Sequence, residues 1–259
     1  MRGRLLSLFI ITIFTITLIT GCAQVTSPSN QPEPKPSQLS PDLVDSTPYL
    51  ESFLVKRGAA VQEALNYSDI TSITVLVNKQ NHLSDDYVPP DLVEPNIPFT
   101  FAEKAEKRLL RQEAASHLEE LFTVAQENDI ILYGVSGYRS YQTQEYLFQY
   151  FVQRDGSEEK ANQISARPGE SEHQTGLAMD VTSESVNFGL IESFGDTKEY
   201  EWLKDNAHLF GFVVRYPQGK EHITEYTYEP WHLRYVGQEL ALKLYENNMS
   251  YEEYLFFRI

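Results

Sequence analysis

The stretch of sequence that decides the fold is residues 171–180, which read Ser171-Glu172-His173-Gln174-Thr175-Gly176-Leu177-Ala178-Met179-Asp180. Its apolar continuation predicts a strand over residues 177–182. The imidazole of His173 therefore lies in a loop, and the carboxylate of Asp180 lies on that strand. Both side chains are ligands that zinc accepts.

A second stretch further along the chain supplies a third ligand and reads Glu229-Pro230-Trp231-His232. A strand is predicted over residues 231–236, and Pro230 argues against a helix that holds both Glu229 and His232. Three protein ligands leave a fourth tetrahedral position for water, whose pKa zinc lowers to about 7. Glu229 is then a spare carboxylate, and we predict that it takes a proton from this water and delivers it to a leaving amine.

A third stretch follows a predicted buried strand at residues 130–135 and reads Ser136-Gly137-Tyr138-Arg139-Ser140. Arg139 is predicted to hold either a developing oxyanion or a substrate carboxylate, because a fixed guanidinium suits both tasks. Ser171 and Gln144 are predicted to add hydrogen bonds to the substrate. Arg215 is a candidate for a second contact with a substrate carboxylate.

Together, these motifs resemble those of the zinc D-alanyl-D-alanine carboxypeptidases, which include vancomycin-resistance accessory peptidases and related L,D-carboxypeptidases. The resemblance covers about residues 73–237. It implies a zinc ion held by His173, Asp180 and His232, with Glu229 as general base and acid and Arg139 stabilising the transition state. It also implies removal of the terminal D-alanine from peptidoglycan stem peptides, without an acyl-enzyme.

Other functions use the same residues and stay open at this point. An L,D-carboxypeptidase would cut tetrapeptide stems to tripeptides, and an endopeptidase would share the site. From another class, a non-catalytic peptidoglycan-binding module would keep zinc as a structural ion. The joint presence of Glu229 and Arg139 favours turnover, because a binding module needs no spare carboxylate beside the metal.

The N-terminal segment is unlike a globular domain. A basic start at residues 1–4 precedes an apolar run at 5–19, and Ile19-Thr20-Gly21-Cys22 resembles the lipobox of bacterial lipoproteins. The apolar run is shorter than the roughly 20 residues needed to cross a bilayer. Residues 1–21 are therefore predicted to be a lipoprotein signal peptide, with a plain N-terminal anchor helix as the alternative.

The lipobox interpretation predicts the domain organisation of the chain and its location in the cell. A lipid on Cys22 would anchor the protein to the outer face of the bacterial cytoplasmic membrane. Residues 22–48, rich in proline and serine, predict an extended tether. Residues 49–259 then form the zinc carboxypeptidase domain.

The amino-acid composition limits the classes of ligand and partner that the protein can bind. The formal net charge of −16 disfavours binding to nucleic acid phosphates. The single cysteine excludes an intramolecular disulfide and a cysteine-rich metal site, so zinc must be held by histidine and carboxylate. Nothing in the sequence predicts a protein partner.

Periodicity and capping signals predict the remaining elements. Helices are expected over residues 58–66, 103–128, 141–154, 158–164 and 197–209 and after a capping box formed by Ser250 and Glu253. Strands are expected over residues 73–77, 130–135, 177–182, 212–217 and 231–236. This mixture predicts an α+β fold, a small antiparallel sheet with helices packed around it and the zinc site at the sheet.

Overall fold

The computed structural model describes residues 67–257. The predicted signal peptide, the tether, Cys22 and the helix expected over residues 58–66 lie outside this range. Within it, no helix is both long and apolar enough to span a bilayer.

The structure is organised around a four-stranded antiparallel sheet. Two short strands precede it in the chain and pair with each other. They are β1 (Leu92–Val93) and β2 (Leu110–Arg111). The main sheet contains β3 (Tyr133–Ser136), β4 (Ala178–Thr182), β5 (Phe212–Tyr216) and β6 (Glu229–Tyr235), in the order β3-β4-β6-β5. With helices around this sheet, the predicted α+β class is confirmed.

Seven α-helices accompany the strands among the described residues, and they are α1 (Gln112–Glu127), α2 (Tyr141–Asp155), α3 (Glu158–Ile164), α4 (Lys198–Asn206), α5 (Glu221–Thr224), α6 (Gln238–Asn247) and α7 (Tyr251–Phe257). Thr197 caps α4 by accepting a hydrogen bond from the backbone N–H of Tyr200 at 3.2 Å. The predicted capping box forms before α7, where Ser250 N donates to Glu253 Oε2 at 2.8 Å and Glu253 N donates to Ser250 Oγ at 3.3 Å. These local signals therefore fixed the helix starts.

Helix α1 supplies much of the core that supports the sheet. Its residues Ala114, Leu118, Leu121 and Ala125 recur at helical spacing and have no exposed surface. They belong to one hydrophobic cluster with the β4 and β6 side chains Met179, Val181 and Leu233. Burial of each large apolar side chain contributes about 1.5–3 kcal/mol. The two strands that carry Asp180 and His232 therefore pack against α1 in one hydrophobic core.

Two sequence predictions of secondary structure were wrong. The helix expected from residue 103 begins at Gln112, because the preceding residues Leu110–Arg111 pair with β1 instead. Residues 73–74 form a turn and residues 75–77 have no regular secondary structure, where a strand was expected. Their carbonyls meet side chains instead of a neighbouring strand, since Arg234 Nη2 donates to the backbone oxygens of Ile73 and Val75 at 3.2 and 2.7 Å.

The strand expected over residues 130–135 is shorter and shifted. It starts at Tyr133 and ends at Ser136. Ile130 and Leu132 are buried, but they precede the ladder. Apolar periodicity therefore located the core contacts of this segment correctly but not its hydrogen bonds.

Candidate metal centre

Strand register brings the ligand candidates together. Asp180 on β4 lies directly opposite His232 on β6. His173 lies in a 3-10 turn (Glu172–Thr175) just before β4, and the turn ends at Gly176 with φ at +65°. This left-handed conformation favours glycine, because a side chain there would be strained. The three ligand candidates meet although they are far apart in sequence.

The geometry of this cluster fits a metal ion. His173 Nε2 lies 3.3 Å from Asp180 Oδ2, and His232 Nδ1 lies 3.2 Å from Asp180 Oδ1. One ligand atom from each residue lies within 4.8 Å of the others, and each residue is at most 5% exposed. Asp180 Oδ1 is buried without a hydrogen-bond partner among the described residues. Two imidazoles and a carboxylate with an unpartnered oxygen are a donor set for zinc.

The buried charges shift each other's protonation. Burial raises the pKa of the Asp180 carboxyl, but contacts with His173 and His232 outweigh this and hold that pKa well below its usual range. Burial lowers the pKa of the His173 imidazole. Burial also lowers the pKa of His232, yet Asp180 and Glu172 outweigh it and raise that pKa to about 9. Asp180 and Glu172 therefore stabilise positive charge at the position of His232.

Glu229 reaches the same centre through an irregularity in β6. Val214 pairs with Leu233, but Tyr216 pairs with Glu229, so β6 advances four residues while β5 advances two. Residues three apart in a regular strand point to opposite faces, whereas this bulge brings Glu229 Oε2 within 3.6 Å of His232 Nδ1. Burial and the neighbouring negative charges raise the pKa of Glu229 to about 7, which suits a proton carrier at neutral pH.

Arg139 lies in the turn after β3 and lines a cleft beside the three ligand candidates. Two side chains on its other side hold its guanidinium in place. Its Nη1 donates to Gln144 Oε1 at 2.7 Å, and its Nη2 donates to Ser136 Oγ at 3.0 Å. Gln144 is itself fixed, because its amide donates to Ser165 Oγ and to the carbonyl of Ala166 at 3.2 and 2.6 Å. The structure therefore places Gln144 as a support for Arg139, away from the substrate position expected from sequence.

An open cleft of about 410 Å³ surrounds these groups. Arg139, Glu229 and Ser171 line it, as expected from sequence. Of the described residues in its lining, Arg139 is the one arginine or lysine. Arg139 is thus the main fixed positive charge that this cleft offers a substrate.

Arg215 does not reach the cleft, in contrast to the sequence prediction. Its side chain has no exposed surface. Its Nε donates to Glu172 Oε1 at 2.7 Å, and its two terminal nitrogens donate to Glu252 at 2.8 and 2.5 Å. A guanidinium that two carboxylates engage in this way is unavailable to a substrate.

Two groups that contact the histidines had no role predicted from sequence. The carbonyl of Gly137 lies 2.8 Å from His173 Nδ1, and Glu172 Oε2 lies 3.3 Å from His232 Nε2. The contact from the Gly137 carbonyl is made by the backbone, so no side-chain type in the sequence indicates it. Glu172 lies in a segment predicted to be a loop, where a charged residue gives no signal of burial.

Comparison with known proteins agrees with this geometry. The family model described as "VanY: D-alanyl-D-alanine carboxypeptidase" matches residues 107–238, which include every ligand candidate, Arg139 and Glu229. The protein YodJ of Bacillus subtilis (strain 168) is 50% identical over 183 residues, which is 71% of this chain and 67% of the relative. The likeness therefore covers the domain that carries the cleft.

Solved structures resemble the fold as well. The LdcB LD-carboxypeptidase superposes with a TM-score of 0.70 at 49% identity, over 72% of this chain and 86% of that one. A variant of the vancomycin resistance D,D-pentapeptidase VanY, in complex with Zn(II), superposes with a TM-score of 0.58 at 31% identity, over 72% of this chain and 99% of the other. The metal in the latter structure agrees with the zinc donor set found here.

Proposed function

Since the chain belongs to the VanY family of D-alanyl-D-alanine carboxypeptidases, we propose that it is a zinc-dependent hydrolase that removes the terminal D-alanine from peptidoglycan stem peptides. The observation that carries the proposal is the position of Glu229, a non-ligand carboxylate 3.6 Å from His232 Nδ1. Hydrolysis needs such a group beside the metal, whereas structural zinc does not.

His173, Asp180 and His232 would hold the zinc ion. When bound, zinc supplies a Lewis acid that polarises a carbonyl and makes water acidic near neutral pH. The carboxylate of Glu229 accepts a proton from the attacking water and donates it to the nitrogen of the departing D-alanine. Burial raises the pKa of the Glu229 carboxyl, which favours the protonated form that donates to the leaving amine.

Arg139 provides the positive charge that the reaction needs. A carboxypeptidase must bind a substrate carboxylate, and negative charge develops on the scissile carbonyl oxygen. Arg139 lines the cleft, and Gln144 and Ser136 fix its guanidinium. A guanidinium held in place before the reaction stabilises such charge more effectively than a flexible one.

A second scissile bond is also a candidate. The family description favours the D-Ala-D-Ala bond of pentapeptide stems. The likeness to LdcB, with its TM-score of 0.70, favours an L,D-bond of tetrapeptide stems as a second candidate. Both reactions release D-alanine and use the same proton transfers.

Purified protein incubated with zinc and with synthetic pentapeptide or tetrapeptide stems tests these proposals. Mass spectrometry of the fragments identifies the bond, and we expect D-alanine from at least one stem. Folded, zinc-loaded protein that releases no D-alanine from either stem would contradict the proposal. That result would favour the non-catalytic zinc module.

We also propose that Cys22 carries a lipid that anchors the enzyme outside the cytoplasmic membrane. The lipobox-like Ile19-Thr20-Gly21-Cys22 after a short apolar run supports this proposal. Labelling of bacterial cells with an alkyne fatty acid should mark the wild-type protein and not Cys22→Ala. Equal labelling of the two would argue against a lipid on Cys22.

A further inference from the structure

Glu172 is a buried charge for which peptide hydrolysis has no direct use. It lies between Ser171 and His173, and its side chain has no exposed surface. One oxygen, Oε1, accepts hydrogen bonds from Arg215 Nε at 2.7 Å and Arg234 Nη1 at 2.8 Å. The other, Oε2, lies 3.3 Å from His232 Nε2. Two guanidiniums therefore hold a carboxylate against one metal-ligand candidate.

The two nitrogens of His232 face different environments. Its Nδ1 lies 3.2 Å from Asp180 Oδ1 at the centre, while its Nε2 faces Glu172. A neutral imidazole carries one proton, and only its unprotonated nitrogen can bind a metal. A carboxylate in this setting only accepts hydrogen bonds, so Glu172 selects the form with the proton on Nε2. The lone pair of Nδ1 then points to the centre.

The carboxylate remains ionised in its buried position because of the arginines. Both arginines are buried and bond to Glu172. Their positive charges account for a charged group at this depth.

His173 is held in a different way, which makes the role of Glu172 specific. Its Nδ1 donates to the backbone carbonyl of Gly137 at 2.8 Å, which leaves Nε2 to face Asp180. A Cβ at Gly137 would lie 2.5 Å from the carbonyl oxygen of Leu109, so the close approach of this backbone requires glycine. The two histidines thus present opposite nitrogens, one set by a carbonyl and the other by a carboxylate.

We propose that Glu172 is a positioning residue for zinc, which holds His232 in the tautomer and orientation that direct Nδ1 to the metal. Arg215 and Arg234 in turn orient Glu172. This inference rests on the zinc site of the proposed function. Outer carboxylates of this kind typically contribute 10–100-fold to metal affinity.

Zinc affinity measured by chelator competition tests this proposal with a matched pair of variants. Glu172→Gln removes the charge, and its amide can turn either a donor or an acceptor to His232. Glu252→Gln removes a charge from the far end of the same network, where Glu252 bonds to Arg215 and Asn78 and, among the described residues, to no histidine. Circular dichroism confirms that each variant folds.

We expect Glu172→Gln to bind zinc 10–100-fold more weakly than the wild type and Glu252→Gln to bind it equally well. Equal losses in both variants would show a general effect of breaking the buried network and would overturn the proposal. Unchanged affinity in Glu172→Gln would overturn it too. Peptide hydrolysis plays no part in this measurement, so failure of the proposed substrate leaves its result intact.

A second measurement uses the wild type alone and decides the question if Glu172→Gln does not fold. In the zinc-loaded protein, long-range ¹H–¹⁵N spectra of labelled histidine report which nitrogen carries the proton. We expect the His232 proton on Nε2 and the His173 proton on Nδ1. A His232 proton on Nδ1, or wild-type protein that binds no zinc, would overturn the assignment.

Discussion

Glu229 Oε2 lies 3.6 Å from His232 Nδ1, the same nitrogen that faces Asp180 Oδ1 at 3.2 Å. Glu229 and His232 are on one strand, three residues apart. Only the bulge opposite Val214 and Tyr216 lets both approach the centre. His232 therefore contacts both the ligand Asp180 and the proposed base Glu229. Metal binding and proton transfer can be separated by mutation of Glu229.

Glu229→Gln should abolish turnover and leave zinc binding intact. An amide of the same shape cannot carry the proton from water to the leaving amine, so we expect kcat to fall on the order of 10²–10⁴-fold. Bound zinc, measured by mass spectrometry of native protein, should match the wild type. Glu225→Gln is the control, because Glu225 is exposed and bonds to Gln80 rather than to a ligand. Retained turnover in Glu229→Gln would remove this residue from its role.

Arg139 and Gln144 should behave as one unit. Arg139→Ala removes the cationic group of the cleft and should lower kcat/KM about 10²–10³-fold. Gln144→Ala leaves the guanidinium with one supporting side chain, Ser136, and should have a smaller effect. The double variant should be no worse than Arg139→Ala, since Gln144 acts through Arg139. Independent, multiplying losses in a double-mutant cycle would instead give Gln144 a separate contact with the substrate.

The sequence was sufficient for the residues whose role depends on side-chain type and local spacing. His173, Asp180 and His232 were predicted as ligands from their residue types and the motifs around them, and strand register brings Asp180 and His232 together. Helix starts at Thr197 and Ser250 followed from hydrogen bonds within a few residues of each cap. Such interactions are encoded within one short segment.

The failures involve partners distant in the chain. Arg215 was a candidate substrate contact from sequence, yet Glu172 and Glu252 enclose it, and neither is near it in sequence. Residues 73–77 have strand composition, but the side chain of Arg234 takes carbonyls that a strand would have offered to a neighbour. A buried arginine is thus decided by long-range charge pairing, which periodicity does not report.

Zinc should stabilise the folded protein through Asp180. A ligand that binds only the native state adds about 4 kcal/mol at 1,000 times its Kd, so zinc should raise the Tm of the wild type, and a chelator should reverse the rise. Asp180→Asn removes the anionic ligand and should lose most of this zinc-dependent shift. Glu225→Gln should keep it. A full zinc-dependent shift in Asp180→Asn would place the metal elsewhere.

His208 should make stability depend on pH independently of the metal. Its ring stacks on Tyr245 with centroids 3.7 Å apart, and its Nδ1 is buried without a hydrogen-bond partner among the described residues. Burial lowers the pKa of His208 to about 4 from an ordinary 6.5. The unfolded chain therefore takes up this proton first as pH falls, so the stabilising contribution is complete above pH 6.5 and is lost progressively toward pH 4.

His208→Phe keeps an aromatic ring against Tyr245 and removes this titration. Urea unfolding at a series of pH values from 7.5 to 4 should show the wild type losing on the order of 1 kcal/mol relative to His208→Phe, an allowance that includes partial solvation of the imidazole. Most of the difference should arise between pH 6.5 and pH 4, because only the unfolded wild type gains the extra proton there. Parallel stability curves for the two proteins would show that His208 titrates equally in the folded and unfolded states.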